Sequence, residues 1–214
     1  MPSAPPSARD EDFASKYTKA GPVASWLIDR FFDGVADLAC RVAPAEVLEV
    51  GCGEGFSTTR LARILGPRVQ LAAGDVDPRL AARARARNPG VPIAVESAYD
   101  LRRPDGSFDL VVCLEVLEHL DDPARALAEL CRVARRAVLV SVPREPLWRV
   151  LNVARGRYLR AAGNTPGHVQ HWSRRGFVRF VGTQAEVLAV RTPVPWTQVL
   201  ARPRLAAGAS EPVA

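Results

Sequence analysis

Lysine is nearly missing from this sequence. Of its 29 Lys and Arg residues only Lys16 and Lys19 are lysines, so the formal net charge of +6 rests on arginine. Such an excess suits a nucleic acid, an anionic membrane surface or an acidic substrate, and equally charged helix faces in water or a genomic bias toward arginine. Cysteines are few and scattered. Cys40, Cys52, Cys113 and Cys131 form no CxxC and no Cys/His grouping, and three of them fall in apolar periodic segments. A free thiol there behaves as a small hydrophobe, so neither disulfides nor structural zinc are expected, and a reducing cytoplasm is. Long apolar runs are missing as well. "AVLVSV" at Ala137–Val142 is representative, far from the roughly 18–20 apolar residues of a membrane-spanning helix. The opening "MPSAPPSARDEDFASKY" has no apolar core behind a basic start, so no secretory signal is expected in it. Residues 1–17 read as a disordered Pro/Ser lead and 204–214 as a disordered tail.

What remains is ordinary for a globular protein: 48% apolar and 24% charged residues in 214. That length carries one sizeable core, predicted over residues 18–203 as a single domain. Gly21–Ala43 reads as a helix, with Trp26, Leu27, Phe31, Val35, Leu38 and Val42 on one stripe and Pro44 as its stop. Strands are predicted at Glu46–Val50, Val69–Ala73, Val91–Val95, Phe108–Cys113 and Ala137–Val142. Helices are predicted between them at Phe56–Leu65, Pro78–Arg87 and Pro123–Ala134, the last capped by Asp122. Strand and helix in alternation imply parallel βαβ units, and near-continuous apolar strands such as "FDLVVC" imply burial on both faces. After residue 143 the pattern changes. An extra helix is expected over Glu145–Ala162, a loop at "NTPGHVQHWS", a short helix over Ser173–Val181, and a closing hairpin from Ala185–Arg191 and Trp196–Ala201.

Chemistry is signalled first by "AEVLEVGCGEGFSTTRLA", Ala45–Ala62. A strand runs into three glycines and directly into a helix, the place where open α/β sheets hold nucleotides. A dinucleotide site wants G-x-G-x-x-G, but the sixth position here is Phe56. Glu49 and Glu54 would also repel a pyrophosphate, so a cationic ligand suits the turn better. Gly51 permits the tight turn, and Gly53 and Gly55 let main-chain amides come close to a ligand. Asp75 stands 24 residues after Gly51 at the end of a second strand, where a carboxylate can accept both ribose hydroxyls. Asp77, before Pro78, is read as the helix cap.

"VLEVGCGEG" resembles the first motif of class I S-adenosylmethionine-dependent methyltransferases. "LAAGDVDP" resembles the family's second strand, and "ESAYDLRRPDGSFDLVVCLEVLEHLDDPARALAEL" its stretch from the third strand through the helix after the fourth. The matches are collinear from about Ala45 to Val142. The resemblance implies a doubly wound, mostly parallel seven-stranded sheet, a Rossmann-like methyltransferase fold, with an N-terminal helix and an inserted lid helix. It implies S-adenosylmethionine as cofactor, held by Glu49, Gly51, Cys52, Gly53, Gly55, Asp75, Val76, Ser97, Ala98, Leu114 and Glu115. Glu49 would assist the ammonium or sulfonium end, or else tie the loop down. Many relatives place an acid for the adenine amino group after the third strand; this chain has "ESA", leaving the Ser97 hydroxyl and the Ala98 amide.

Methyl transfer to oxygen needs a proton removed, whereas an amine need only be neutral. In "LEVLEHLDD", Glu115, Glu118 and His119 sit at i, i+3 and i+4, which on a helical turn is one face. They read as a base with its orienting partner, as a structural group, or as hard ligands for magnesium. The last reading follows the similar Glu-x-x-Glu-His of ubiquinone-biosynthesis O-methyltransferases, and no metal is assigned. His168 and His171, in "GNTPGHVQHWSRRGF", are further base candidates, or Trp172 anchors that loop and the histidines only bond the backbone. Pro146–Arg160 carries Leu147, Trp148, Leu151, Ala154 and Tyr158 on a stripe edged by Arg149, Arg155, Arg157 and Arg160. It reads as a lid packed on the domain, or as a peripheral contact with anionic lipid.

The expected activity is methyl transfer to a small-molecule acceptor, foremost at oxygen, by a monomer or homodimer. N- or C-methylation of a lipid, polyketide or sugar is the alternative, as is cofactor binding without catalysis. A nucleic-acid-directed enzyme is not expected, because "CLEVLEH" stands where an Asn/Asp-Pro-Pro-Tyr base-flipping motif would follow the fourth strand.

Overall fold

The computed structural model describes residues 21–154, 161–165 and 167–204. The expected lead, and the tail from residue 205 onward, lie outside the described residues. Arg204 belongs to the fold, since its guanidinium donates to the Gly182 carbonyl at 3.0 Å.

Helix α1 (Pro22–Cys40) starts with proline in its first turn, where the missing N–H costs nothing. It is shorter than the predicted Gly21–Ala43. Its stripe buries Leu27, Phe31, Phe32, Val35 and Leu38, but Trp26 is 56% exposed, so the predicted stripe is corrected at that residue. The parallel units follow: β1 (Glu46–Val50), α2 (Phe56–Leu65), β2 (Gln70–Asp75), α3 (Pro78–Arg87), β3 (Ile93–Val95), β4 (Phe108–Leu114), α4 (Pro123–Val133) and β5 (Ala134–Pro143). Asp77 and Asp122 cap α3 and α4 by accepting from the amides of Arg79 and Arg125. Then come α5 (Leu147–Ala154), α6 (Arg174–Val181, capped by Ser173), β6 (Ala185–Arg191) and β7 (Trp196–Pro203). The predicted helix over Glu145–Ala162 is helical only as far as Ala154 among the described residues, and 155–160 lie outside them.

The seven strands lie in the order β3-β2-β1-β4-β5-β7-β6, parallel except for β7, which is antiparallel to both β5 and β6. The sheet is mostly parallel, as expected, and the late hairpin closes it. Apolar side chains cover both faces. One core gathers Leu127, Leu130, Phe177 and Val181 from α4 and α6. The other gathers Phe31, Val35, Leu38 and Leu61 from α1 and α2. Chain order reverses between β1 and β4, which is where such sheets open a crevice at their carboxyl ends.

Candidate functional site

The glycine turn after β1 is tied to β2. The amides of Gly51 and Cys52 both donate to the Gly74 carbonyl, at 2.8 and 3.0 Å. At two glycines the protein itself forbids a side chain. A Cβ on Gly51 would lie 2.4 Å from a Val116 methyl, and one on Gly55 2.9 Å from the Ala84 backbone of α3. Gly53 differs: its φ is +54° and a Cβ there would meet nothing within 4 Å. The turn therefore packs at its two ends and is bare main chain facing open space in the middle.

Two acids bracket that space. Glu49 is 1% exposed and its Oε2 accepts from the Thr58 hydroxyl at 2.5 Å. Burial pushes its pKa up to about 7, against the pull of the Ser57 and Thr58 hydroxyls and with a further push from Asp75. Asp75 is buried as well, and its pKa is raised for the same reason. Its two oxygens accept from the amides of Gly53 and Asp77 at 2.8 and 2.9 Å. A carboxylate has about four acceptor positions, so hydroxyl contacts stay open to it. Among the described residues no ion pair joins either acid to an arginine, whereas Glu54 and Glu96 are taken by Arg83 and Arg103. Buried carboxylates without a cation of their own suit a cationic ligand and repel a phosphate. The residues present fit S-adenosylmethionine. Cys52 is 3% exposed with its thiol pushed up to about 12 by burial, so it packs and does not react near neutrality.

Val76, directly after Asp75, is 67% exposed, an apolar shelf at the strand tip. Ser97 and Ala98 follow β3, with the Ser97 hydroxyl accepting from the Tyr99 amide at 3.2 Å. Leu114 closes β4 at 8% exposure.

The segment after β4 departs from the predicted helical face. Glu115 has φ +58°, in the left-handed region, and only Leu117–His119 form a 3-10 turn. Glu115 therefore leaves the other two and turns into the sheet, where the Ser141 hydroxyl and Trp196 Nε1 donate to its oxygens at 2.8 and 2.7 Å. Its expected place in a magnesium set with Glu118 and His119 is corrected by that geometry, and those three residues do not fit the ion.

His168 instead lies beside Glu118 and His119. Glu118, His119 and His168 each offer a ligand atom, all within 4.8 Å of one another. The loop bearing His168 hangs on the 3-10 turn, since the amides of Val169 and Gln170 donate to the Glu118 carbonyl at 2.9 and 3.0 Å. His119 Nδ1 lies 3.0 Å from the Gly167 carbonyl. A carbonyl only accepts, so Nδ1 carries the hydrogen and Nε2 keeps the lone pair in the neutral ring. Glu118 and His168 are 2% and 8% exposed. His171 does not join them; its Nε2 pairs with Asn164 Oδ1 at 2.8 Å. Trp172 packs on Phe177 and Phe180, anchoring the loop as expected.

A row of rings runs up to this cluster. Phe31, Trp196, Trp148, His168 and His119 form a chain with successive centroid spacings of 5.0, 5.9, 6.2 and 4.8 Å. Ser141, Trp148 and Trp196 were not predicted for the site. They come from β5, α5 and β7, and no local spacing ties them to the turn after β4. On α5, Val150 and Val153 are exposed while Asn152 is buried, donating to the Gly163 carbonyl at 2.9 Å. Of the predicted stripe, Leu147, Trp148 and Leu151 are half-buried, Ala154 is exposed and Tyr158 lies outside the described residues. Much of the arginine excess is in ion pairs, including Arg60 with Asp29, Arg132 with Glu129 and Arg135 with Asp109. No helix of the described residues is long and apolar enough to cross a membrane.

Comparison with known proteins identifies the family and the fold. Residues 48–141 match the family model described as a methyltransferase domain. A "probable S-adenosylmethionine-dependent methyltransferase" of Mycobacterium tuberculosis is 39% identical over 105 residues, 49% of this chain and 37% of that protein. The chain thus spans about two fifths of that relative's length. A ubiquinone biosynthesis O-methyltransferase of Xanthomonas euvesicatoria is 32% identical over 171 residues, covering 73% of this chain and 70% of the relative. Among solved structures, magnesium protoporphyrin IX methyltransferase from Synechocystis with bound S-adenosylhomocysteine superposes with a TM-score of 0.65 at 15% identity, over 90% of this chain and 95% of that one. At that identity the likeness is one of fold.

Proposed function

This chain belongs to the class I S-adenosylmethionine-dependent methyltransferases, and from that premise we propose that it methylates a small molecule at a hydroxyl oxygen. S-adenosylmethionine supplies an already activated methyl group. The chain's work is to align donor and acceptor, exclude water and take a proton.

At the donor end, Asp75 grips the ribose hydroxyls, bare main chain at Gly53 lies along the tail, and Glu49 faces its positive charge. Val76 and Leu114 give apolar surface to the adenosine, with the Ser97 hydroxyl and the Ala98 amide at the base.

At the acceptor end, the observation that carries the reading is the acid–imidazole cluster of Glu118, His119 and His168 beside the end of β4. His119 has its tautomer fixed by Gly167, leaving Nε2 as the basic atom. The hydroxyl proton passes to it while the oxygen takes the methyl carbon, and the bond to sulfur breaks with its electron pair staying on sulfur. Glu118, buried beside the ring, stabilises the imidazolium that results. An amine acceptor would need no such base. The row of rings beside the cluster suits an acceptor with an apolar body. The oxygen preference is also that of the Xanthomonas relative's name.

The experiment is incubation with S-adenosylmethionine and a panel of hydroxyl and amine acceptors, with products read by mass spectrometry. O-methylated product is expected, slowed by roughly two orders of magnitude in His119→Ala with S-adenosylhomocysteine affinity nearly unchanged. Products methylated only at nitrogen, at full rate in His119→Ala, would overturn the proposal. Asp75→Ala should weaken S-adenosylhomocysteine binding by about tenfold or more, as expected for lost charge-assisted hydrogen bonds, and calorimetry reads it directly.

A further inference from the structure

We propose that the groove between helix α6 and edge strand β6 is a docking site for an acidic, extended polypeptide segment of a partner protein. The groove has a volume of about 670 Å³ and is lined by Ser173, Arg174, Arg175, Val178, Arg179 and Val190. Its arginines are exposed, whereas Val178 and Val190 are half-buried against the core and give the groove an apolar floor. Among the described residues none of the three arginines takes part in an ion pair or a side-chain hydrogen bond. A lone exposed arginine such as Arg68 is ordinary surface charge. Three on one groove concentrate a positive field that no acid of the described residues is paired to neutralise.

The row does not serve the helix that carries it. Arg174 and Arg175 stand in the first turn of α6, at the positive end of its dipole, and no acid accompanies them in that turn. Arg175 and Arg179 are like charges at i, i+4, which also weakens a helix. Phe177 and Val181, on the other face, hold α6 to the sheet. A charge pattern that costs the helix stability and faces outward is explained by an anionic ligand.

The strand beside the row decides which kind of anion. β6 ends the sheet and pairs with β7 alone, so its outer main-chain groups have no strand partner and suit an added polypeptide strand. At the opposite edge Arg85 Nε covers β3 by donating to the Ile93 carbonyl at 2.8 Å. The register shift between Val187 and Ala189 breaks the β6 ladder, so the stretch open beside the groove is 189–191. Alternate residues of an added strand face one side. Acids placed two residues before and two after an apolar residue therefore meet the arginines while that residue meets Val178 and Val190. A nucleic acid would use the charge but not the strand edge. Nor are rings of this region offered to its bases, since Trp172 and Phe180 pack on each other and on Phe177.

The test uses the whole chain and a labelled peptide with glutamates two residues either side of a central leucine and threonines between, read by fluorescence anisotropy. Saturable binding is expected, weakened roughly tenfold by Arg175→Glu or by Arg179→Glu. Arg68→Glu, the same change of charge elsewhere on the surface, should leave it nearly unchanged. Arg175→Glu turns a like-charge helix pair into an attractive one, so its thermal unfolding midpoint should hold or rise, and binding is then lost without loss of folding. Glutamine in place of glutamate, or the leucine exchanged with a neighbouring threonine, should weaken the peptide. No binding of the glutamate peptide, equal weakening by Arg68→Glu, or tighter arginine-dependent binding of a single-stranded oligonucleotide or of phosphatidylglycerol vesicles would each overturn the proposal. None of these readouts involves methyl transfer, so the docking site stands or falls apart from the proposed function.

Discussion

A carboxyl group at 1% exposure with a second acid nearby, as Glu49 is with Asp75, keeps its proton to unusually high pH. Its pKa stands at about 7 in the native state against 4.5 when free. The native protein therefore holds a proton that the unfolded chain releases, and unliganded stability falls as pH rises from about 4.5 to about 7, by about 3 kcal/mol for this group. Ligand binding runs the other way, because a cationic tail wants the carboxylate. S-adenosylhomocysteine affinity, carried by its ammonium group, should rise about tenfold between pH 6 and 8, and Glu49→Gln should flatten that profile in calorimetry. Glu115 illustrates what a spacing rule leaves out. The i, i+3, i+4 pattern assumes helical φ throughout, and one residue at φ +58° breaks it. Nothing next to Glu115 in sequence announces that it will be held by Ser141 and Trp196. Trp196→Phe keeps the ring against Phe31 but removes the indole donor, and should cost about 1–2 kcal/mol in denaturant unfolding.

At the scale of elements, strands β1, β4 and β5 and helices α2 to α4 were legible because their signals are local: apolar runs, capping aspartates and prolines in first turns. Their ends moved by a few residues where pairing, not composition, sets the boundary. Ala134, read as helix, instead opens β5 because it pairs with Phe108. Gly34 is an example of what only packing explains. It lies inside α1, where alanine would ordinarily be favoured by about 1 kcal/mol, yet a Cβ there would stand 2.2 Å from Gln198 Oε1. Gln198 is fully buried in β7 and donates to the Phe31 carbonyl at 2.8 Å. Gly34→Ala should therefore destabilise, by about 1–3 kcal/mol, through overpacking, with a lowered midpoint in thermal unfolding.

For the whole molecule, the doubly wound class followed from strand–helix alternation, and the proposed donor site is read from where glycines and acids fall on strand tips. Those features come from residues close in sequence. The acceptor side was legible only as separate candidates, since His168 reaches Glu118 and His119 across some fifty residues of chain and a loop's path has no periodicity to read. The layout also predicts a gradient of rigidity. β4 and β5 are central and buried on both faces, whereas β3 has three residues at the sheet's edge. Hydrogen exchange should be slowest in β4 and β5 and fastest in β3 and α5, and mass spectrometry of peptides resolves these segments.

The contact between Gly51 and Val116 joins the turn after β1 to the turn after β4, the two sides of the proposed reaction. A methyl group from the acceptor-side turn occupies the gap that a missing Cβ leaves in the donor-side turn. On the proposed reading, cofactor bound along the glycine turn would brace the segment that carries His119. A change in how the donor is held would then be felt on the acceptor side as well.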